Sequence, residues 1–512
     1  VPLGRVGFFI LSKFKLWRRR KMFYPKIQAV EQLLQEYDLV PVFFEVLGDM
    51  YTPIQIFHKL QAEQEHCFIL ESVDQKNQWG RYSFIGINPK LEIKIAQGEA
   101  EIKSNGQQEL VAVNNIKTFL KQQLQKYRAP VFPEKPKLTG GFVGYFAYDS
   151  VRYIEERLLN IPEDELQLPD CQLFLYDELV AFDHFTNKMV FIMNIYKDQG
   201  DIGGQYETIK AKVAELLAKL EKIVVAVPKA YKQEPLVVKA NYDNQEYYQL
   251  VDKAKEYIVA GDIFQVVLSK RFTIENPPDP FAVYRQLRMS NPSPYLYYFK
   301  NPEYAIVGAS PEMLVNVTQG VITTKPIAGT VPRGKDQQED LFLEKKLLLD
   351  PKERAEHTML VDLGRNDVGR VAKFGTVEVT DFMKVERYSK VMHLVSDVKG
   401  ILQDGLTAVD ALFAALPAGT LSGAPKVRAM EIIDQLENRK RCLYGGTIGY
   451  LGCDGNMDTC IAIRTLLYKN GKAYAQAGGG IVADSVPEME NEEIENKVRA
   501  ILEAVKQAAR TN

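Results

Sequence analysis

The 512-residue sequence predicts an α+β protein, with large, mostly antiparallel β-sheets packed together and helices on the outside. Three observations point to that class. Runs of strand-type alternation and runs of helical periodicity follow one another without a regular βαβ rhythm. A turn signal, Gln97-Gly98, splits the alternating stretch 91–104 into a hairpin. The chain is also long enough to bury an extensive core, and 46% of it is hydrophobic against 25% charged, the balance of a globular protein.

Helical spacing covers 26–36 and 52–64, the second with Ile54, Ile56, Phe57 and Leu60 at helical intervals. Segments 67–70, 82–87, 91–104 and 140–147 are rich in strand formers, and 112–126 is helical. Pro130, Pro133 and Pro136 break the chain into a loop. Strands recur near 173–183 and 188–195, before a helix carrying Ile209, Val213, Leu216, Leu217 and Leu220. A polar connection with Pro228 and Pro235 marks a boundary near residue 235, dividing 22–235 from 236–512. The second part opens with a helix over 244–260 and strands at 263–270, 294–300, 304–308 and 312–316. Helices dominate 339–370 and 408–436, strands return at 444–452, 457–468 and 472–483, and a last helix spans about 488–509.

Residues 1–21 stand apart as an N-terminal extension, disordered or arising from a misplaced start. Its apolar patch, Phe8-Phe9-Ile10-Leu11, comes before its positive charges, Arg18, Arg19, Arg20 and Lys21, the reverse of a secretory signal. The patch is far shorter than the ~20 residues of a membrane span, which leaves a peripheral anchor as its membrane reading. Elsewhere no apolar run approaches a span, so a cytoplasmic protein without a membrane partner is expected. A net charge of −2 gives no electrostatic ground for a nucleic-acid partner. The cysteines, Cys67, Cys171, Cys442, Cys453 and Cys460, are scattered and form no C-x-x-C pair, the pattern of buried reduced thiols.

Two pairs of acids draw notice. Asp350-Pro351-Lys352-Glu353 reads as a helix start, with Asp350 as N-cap, Pro351 in the first position and Glu353 as capping-box partner. Glu356 borders an apolar face of Met359, Leu360 and Leu363, where an unpaired acid is costly to bury. An exposed edge position and a metal ligand are both open to it. In the last helix, Glu490 and Glu493 flank the stripe Ile494, Val498, Ile501, Leu502 and Val505. A surface pair between Glu493 and Lys497, worth ~0.2–0.5 kcal/mol, competes there with a hard-cation site. Mg²⁺ suits the second reading, since it commonly takes one or two carboxylates beside an anionic substrate. Spacing alone leaves both open.

Gly445-Gly446 precede a strand and Ala477-Gly478-Gly479-Gly480 interrupts one, which fits either a plain bulge or close approach of backbone to a ligand. Neither a Walker loop nor a strand-to-helix G-x-G-x-x-G occurs, so nucleotide binding is not indicated. His58, His66 and His184 lie in the less informative first half, and His357 follows Glu356. His393 sits in the apolar run Val391-Met392-His393-Leu394-Val395, where a satisfied core histidine is the plain reading and catalysis the sharper one. No H-E-x-x-H or Cys/His zinc spacing is present.

Several strings together resemble the chorismate-utilising enzymes, the family of anthranilate, aminodeoxychorismate, isochorismate and salicylate synthases. They are Pro326-Ile327-Ala328-Gly329-Thr330, Glu356 through Leu363, Arg387-Tyr388-Ser389 with Val391-Met392-His393, Gly419 through Lys426, Tyr444-Gly445-Gly446, and Gln476 through Gly480. They run in family order over about 240–500, and the first half is similar to the family's N-terminal region. Water-adding members resemble the chain around Gly261-Asp262-Ile263-Phe264 but carry a basic lysine where Gln265 stands. Glutamine has no titratable group for that work. Aminodeoxychorismate enzymes resemble the Pro-Ile-x-Gly-Thr string but place a nucleophilic lysine at the position of Ala328, and alanine cannot form the adduct.

The resemblance therefore implies an anthranilate-forming member: ammonia attacks C2 of chorismate, and pyruvate is lost. It implies Mg²⁺ held chiefly by Glu356 and Glu493, with Glu353 and Glu490 in support. It implies Glu312 as the acid protonating the departing C4 hydroxyl, which calls for a raised pKa. His393 assists pyruvate loss, and Gln265, the residue that points to an amine-adding member, is counted with Glu312 and His393 as catalytic. Gly329, Thr330, Thr420, Tyr444, Arg464, Gly478, Gly479, Gly480 and Lys497 line the substrate, Arg464 with a fork suited to a carboxylate. Glu71 and Ser72, with Pro294, Tyr295 and Leu296 as the other wall, resemble the family's tryptophan feedback pocket, although methionine is frequent where Leu296 stands. Lys325 departs from a frequent arginine. On this reading 22–235 is a regulatory subdomain and 236–512 the chorismate-binding one. The usual glutaminase turn G-x-C-x-G is not met, since Leu451-Gly452-Cys453-Asp454-Gly455 fails at Leu451. A separate glutamine amidotransferase subunit in a heteromeric complex is expected. The alternatives are an aminodeoxychorismate synthase and a non-catalytic tryptophan-binding protein of the same fold.

Overall fold

A computed structural model describes residues 23–73, 80–221, 236–387 and 391–511. The extension expected over 1–21, the connection 222–235 at the expected boundary, and Tyr388-Ser389 of the quoted string lie outside them. Among the described residues two 12-stranded sheets carry the fold, and their ladders are antiparallel. The first runs from Leu39–Leu47 through Lys188–Tyr196, Glu178–Asp183, Tyr82–Ile87 and Cys67–Glu71. It continues through Tyr295–Lys300, Tyr304–Ser310, Thr465–Lys469, Lys472–Ile481 and Gln265–Glu275 to Val237–Ala240. The second runs from Ile327–Pro332 through Val391–Ile401, Val321–Thr324, Met313–Thr318, Met457–Ile461 and Thr447–Gly452. It ends with Gly141–Phe146, Cys171–Tyr176, Leu91–Ala96, Glu99–Ser104 and Gln107–Ala112; the twelfth strand of each sheet lies off this path, Gly423–Ala424 on Gln265–Glu275 in the first and Glu378–Arg387 on Val391–Ile401 in the second. Each sheet thus joins a block of strands from before residue 235 to a block from after it, at the ladders of Cys67–Glu71 with Tyr295–Lys300 and of Gly141–Phe146 with Thr447–Gly452.

The α+β class is as the sequence indicates. Side chains of both sheets meet in a middle core that includes Phe43, Phe68, Tyr145, Phe174, Tyr297 and Tyr304. Phe68 and Tyr176 meet edge to face there with ring centroids 4.7 Å apart. Helices pack on the outer faces. Ile202–Leu220, Asn244–Val259, Pro280–Ser290 and Pro487–Thr511 cover the first sheet. Ile116–Gln125, Pro351–Gly369 and Ala408–Ala415 cover the second. The layers are helix, sheet, sheet, helix, each face burying apolar surface against the next. The hairpin at Gln97-Gly98 forms as expected, with both residues at positive φ, 51° and 81°.

The structure corrects one element that matters for function. The stretch 457–468 is not one strand. Met457–Ile461 lies in the second sheet and Thr465–Lys469 in the first, with Arg464 at φ 53° in the turn between them. Both halves are apolar, so alternation runs straight through a change of sheet. Tyr304–Ser310 and Met313–Thr318 make the same change beside it. The two crossings are tied together: Ser310 Oγ donates to Ile461 O at 2.7 Å, Ile461 N to Glu312 O at 3.0 Å, and Ala309 N to Arg464 O at 3.1 Å. The edge strand Gln107–Ala112 was not expected, because its exposed residues carry no alternating apolar pattern.

Close backbone approach sets how much side chain the sheet centres tolerate. A Cβ on Gly144 would stand 2.1 Å from Gln172 O, whereas one on Gly369, at the end of its helix, would meet nothing within 4 Å. Gly144→Ala should lower thermal stability by about 1–3 kcal/mol or more. Gly369→Ala should raise it by about 0.4–1 kcal/mol. Calorimetric unfolding of both variants checks the pair.

Candidate active site

The two crossings place Glu312 and Arg464 side by side at the seam between the sheets. Glu312 is half-buried and accepts a hydrogen bond from Thr420 Oγ1 at 3.1 Å. Burial pushes its carboxyl up to about 7, against the pull of the Thr420 bond and the Lys497 charge. It borders a cleft of ≈ 420 Å³ whose lining includes Thr324, Lys325, Leu360, Asp367 and Thr420. A carboxyl that keeps its proton near neutrality can serve as a general acid.

His393 lies on the strand Val391–Ile401, in the same sheet as Met313–Thr318. The ladder with Ile327–Pro332 shifts register between Ala328 and Thr330, and Gly329 takes φ 71° at that bulge. The bulge brings Gly329 O to 3.2 Å and Thr330 Oγ1 to 3.0 Å from His393 Nδ1. A carbonyl oxygen only accepts, so Nδ1 carries the proton and Nε2 is the basic nitrogen. Burial lowers the ring's pKa, which keeps it neutral and able to take a proton. His357, by contrast, is fully buried, bonds Ser396 Oγ at 2.7 Å and is pulled down to about 4, the state of a core histidine.

The two acid pairs converge from two helices. Asp350 caps the helix Pro351–Gly369 and accepts from Lys352 N and Glu353 N, as expected. The Glu353 carboxylate turns to Gly329, where an added Cβ would meet its Oε2 at 3.0 Å, so its role is not that of a capping-box partner. Burial and the neighbouring Glu356 raise the Glu353 carboxyl, and burial and Glu493 raise that of Glu356. Burial raises Glu490 too, with Glu493 adding to it. Glu493 is exposed and pairs with Lys497 at 2.5 Å, so the surface pair forms. Lys497 Nζ also donates to Gly478 O at 2.8 Å, and its own carbonyl accepts from Arg464. Among the described residues, no group of three or more His, Cys, Asp or Glu is gathered closely enough to hold a metal ion.

The glycine strand Lys472–Ile481 is packed closely on both faces. A Cβ on Gly478 would stand 2.8 Å from the Tyr444 hydroxyl, and one on Gly480 would stand 2.4 Å from Gln265 Nε2. The opposite face, at Gly479, lies 3.1 Å by the same measure from Glu490 Oε2. The glycines therefore mark close approach on both faces rather than a bulge, since the ladder with Gln265–Glu275 stays in register through them.

The second group of residues also comes together, away from this cleft. Glu71 lies opposite Leu296 in the ladder of Cys67–Glu71 with Tyr295–Lys300, and Val73 N donates to Ser293 O at 3.0 Å. The Glu71 carboxylate is wholly engaged, accepting from Tyr284 OH at 2.7 Å, Arg288 Nε at 2.7 Å and Ser83 Oγ at 3.1 Å. Ser72 and Pro294 are half-buried beside it, Leu296 is buried, and Tyr295 OH is spent on Asp458 at 3.0 Å. Cys453 is buried with its thiol pushed up by burial, which is unlike a nucleophile turn.

Sequence reasoning missed the lock made by Ser310 and the ion pair of Lys426 with Asp367 at the cleft wall, 2.8 Å long. Both residue types are common on surfaces, and no spacing flagged them. Lys325, noted as a departure, reaches Glu386 at 2.6 Å.

Residues 65–503 match the family described as chorismate binding enzyme, and the chain belongs to that family. Within it, the chain is 49% identical to anthranilate synthase component 1 of Acetivibrio thermocellus over 95% of this chain and 99% of that protein. It is 47% identical to anthranilate synthase component 1 of Pseudomonas aeruginosa, over 92% and 96%. The crystal structure of anthranilate synthase component I from Streptococcus pneumoniae superposes with a TM-score of 0.74 at 39% identity, covering 89% of this chain and 98% of that one. The menaquinone-specific isochorismate synthase of Escherichia coli shares the fold, with a TM-score of 0.65 at 20% identity over 94% and 98%.

Burial raises the Glu312 carboxyl above its ordinary 4.5, so its stabilising share is full below that value and is lost as pH rises through about 7. Glu312→Gln removes this burden. The variant should melt above the wild type at pH 8, with the difference shrinking toward pH 5, in thermal scans across that range.

Proposed function

We propose that this chain is the chorismate-binding subunit of an anthranilate synthase, converting chorismate and ammonia to anthranilate and pyruvate at the entry to tryptophan synthesis. The observation that carries the choice within the family is the pair Gln265 and Ala328. Gln265 lies over Gly480 where a water-activating lysine would be needed, and Ala328 is buried beside Gly329 where a nucleophilic lysine would be needed. Ala328 disfavours an aminodeoxychorismate synthase. Retention of Glu312, Glu356, His393 and Glu493 disfavours a non-catalytic tryptophan-binding protein.

Chorismate binds against the glycine strand, with Arg464 and Lys497 supplying positive charge for its carboxylates and Thr330, Thr420 and Tyr444 as walls. Glu312 gives its proton to the departing C4 hydroxyl, which leaves as water while ammonia bonds to C2. His393 Nε2 then takes the C2 proton as the enolpyruvyl group leaves C3, and the ring becomes aromatic. A hard divalent cation fits the acid pairs, because the raised carboxyls of Glu353, Glu356 and Glu490 reflect burial and mutual repulsion that such a charge relieves. Glu356 and Glu493 would hold Mg²⁺, with Glu353 and Glu490 behind them. Bound there, it neutralises a substrate carboxylate. Ammonia comes from glutamine through a separate amidotransferase subunit. Tryptophan inhibits by binding at Ser72 and Pro294–Leu296, on a wall stiffened by Glu71. No described helix is long and apolar enough to cross a membrane.

Purified protein given chorismate, Mg²⁺ and ammonium should develop anthranilate fluorescence. A para-aminated or hydroxylated product, or none, would sink the assignment. Added tryptophan should suppress the signal and Ser72→Ala should relieve the suppression. An uninhibited wild type would remove the feedback site.

A further inference from the structure

Arg441 and Glu437 form an ion pair in the wall behind the cleft, with side chains only 1% and 4% exposed. The pairing is bidentate: Arg441 Nε reaches Glu437 Oε2 at 2.8 Å and Nη2 reaches Oε1 at 2.6 Å. The guanidinium keeps two further bonds, Nη1 to Leu421 O at 2.5 Å and Nη2 to Val267 O at 2.6 Å. It also lies over the rings of Tyr148 and Tyr444, 4.8 and 5.7 Å from their centroids. Glu437 Oε1 accepts from both the backbone and the hydroxyl of Ser269, each at 2.8 Å.

These contacts join the segment that carries Thr420, on the cleft's lining, to the strand Gln265–Glu275 and the glycine strand. Leu421 follows Thr420, whose hydroxyl holds Glu312. Val267 lies two residues beyond Gln265 on one strand, and Tyr444 stands over Gly478. A buried ion pair is a poor source of stability, since apolar residues of like volume often do as well. Its value here is geometric, because a planar fork fixes several carbonyls at once where an ammonium cannot.

We infer that Arg441, oriented by Glu437, is a positioning residue for this reaction, fixing the Thr420 loop against the Gln265 strand so that Thr420 stays on Glu312. The inference rests on the proposed amination for its assay. The charged groups facing Glu312 are Lys497 from the last helix and, across the cleft, Lys325 and Asp367. None of them is altered by the variants.

Anthranilate formation by Arg441→Lys, Glu437→Gln, Thr420→Val and the Arg441→Lys/Thr420→Val double variant is measured against pH at saturating ammonium. Arg441→Lys should lose about 10- to 100-fold in kcat, the scale of an ångström-sized misplacement, with KM for chorismate changed far less. The Thr420 bond holds the Glu312 pKa down, so losing it should move the alkaline limb of kcat/KM to higher pH. Thr420→Val should give the same limb, and the double variant should go no further. If Arg441→Lys does not fold, Glu437→Gln, which keeps the guanidinium and one acceptor oxygen, should show the same limb shift to a smaller degree. Folded variants with wild-type kcat and limb overturn the role, as does a limb that shifts additively in the double variant. A wild type that forms no anthranilate overturns the function and this role together. Active wild type beside unchanged variants overturns this role alone.

Discussion

The buried hydroxyl of Ser310, bonded to the carbonyl of Ile461, sits where two neighbouring strands leave one sheet for the other. The placement of Glu312 and Arg464 depends on that double crossing. Strands that stay within a sheet alternate their side chains between a helix-covered face and the middle core. Where the chain changes sheet, the alternation is broken and polar groups can face one another at the seam. Glu312 sits in one crossing and Arg464 in the other, and the Ile461 N to Glu312 O bond fixes their relative depth.

Charge is distributed around that seam in a way burial alone would oppose. Burial raises Glu353, Glu356 and Glu490, which come from two helices, and the charge of Glu493 raises all three further. Lys497 offsets part of this, bridging Glu493 and the carbonyl of Gly478. A site that gathers repelling carboxylates beside a cationic wall is unfavourable when empty and suited to a cation bound together with a dianionic substrate. Stability has been exchanged for that arrangement, as the raised acids indicate.

The sequence made the local elements and the site residues legible where each depended on neighbours in the chain. The Gln97-Gly98 hairpin, the Asp350-Pro351 helix start and the stripe of the last helix all rest on local chemistry, and they form where expected. The change of sheet within 457–468 was not legible, because an apolar strand has the same pattern whichever sheet it joins. For the same reason the joining of strands from the two sides of residue 235 into shared sheets leaves no trace in composition. Glu353 shows the limit most clearly: its spacing from Asp350 suits a capping box, yet the fold places its carboxylate beside Gly329, distant in sequence. The family strings, not spacing, are what singled out Glu312, the two acid pairs and His393 as candidates.

The central claim is that the crossing holds Glu312 as a carboxylic acid that keeps its proton near neutral pH. Infrared difference titration of the wild type against Glu312→Gln isolates the C=O band of that protonated carboxyl. The band should disappear with a midpoint near pH 7. A midpoint near 4.5, the ordinary glutamate value, would contradict it.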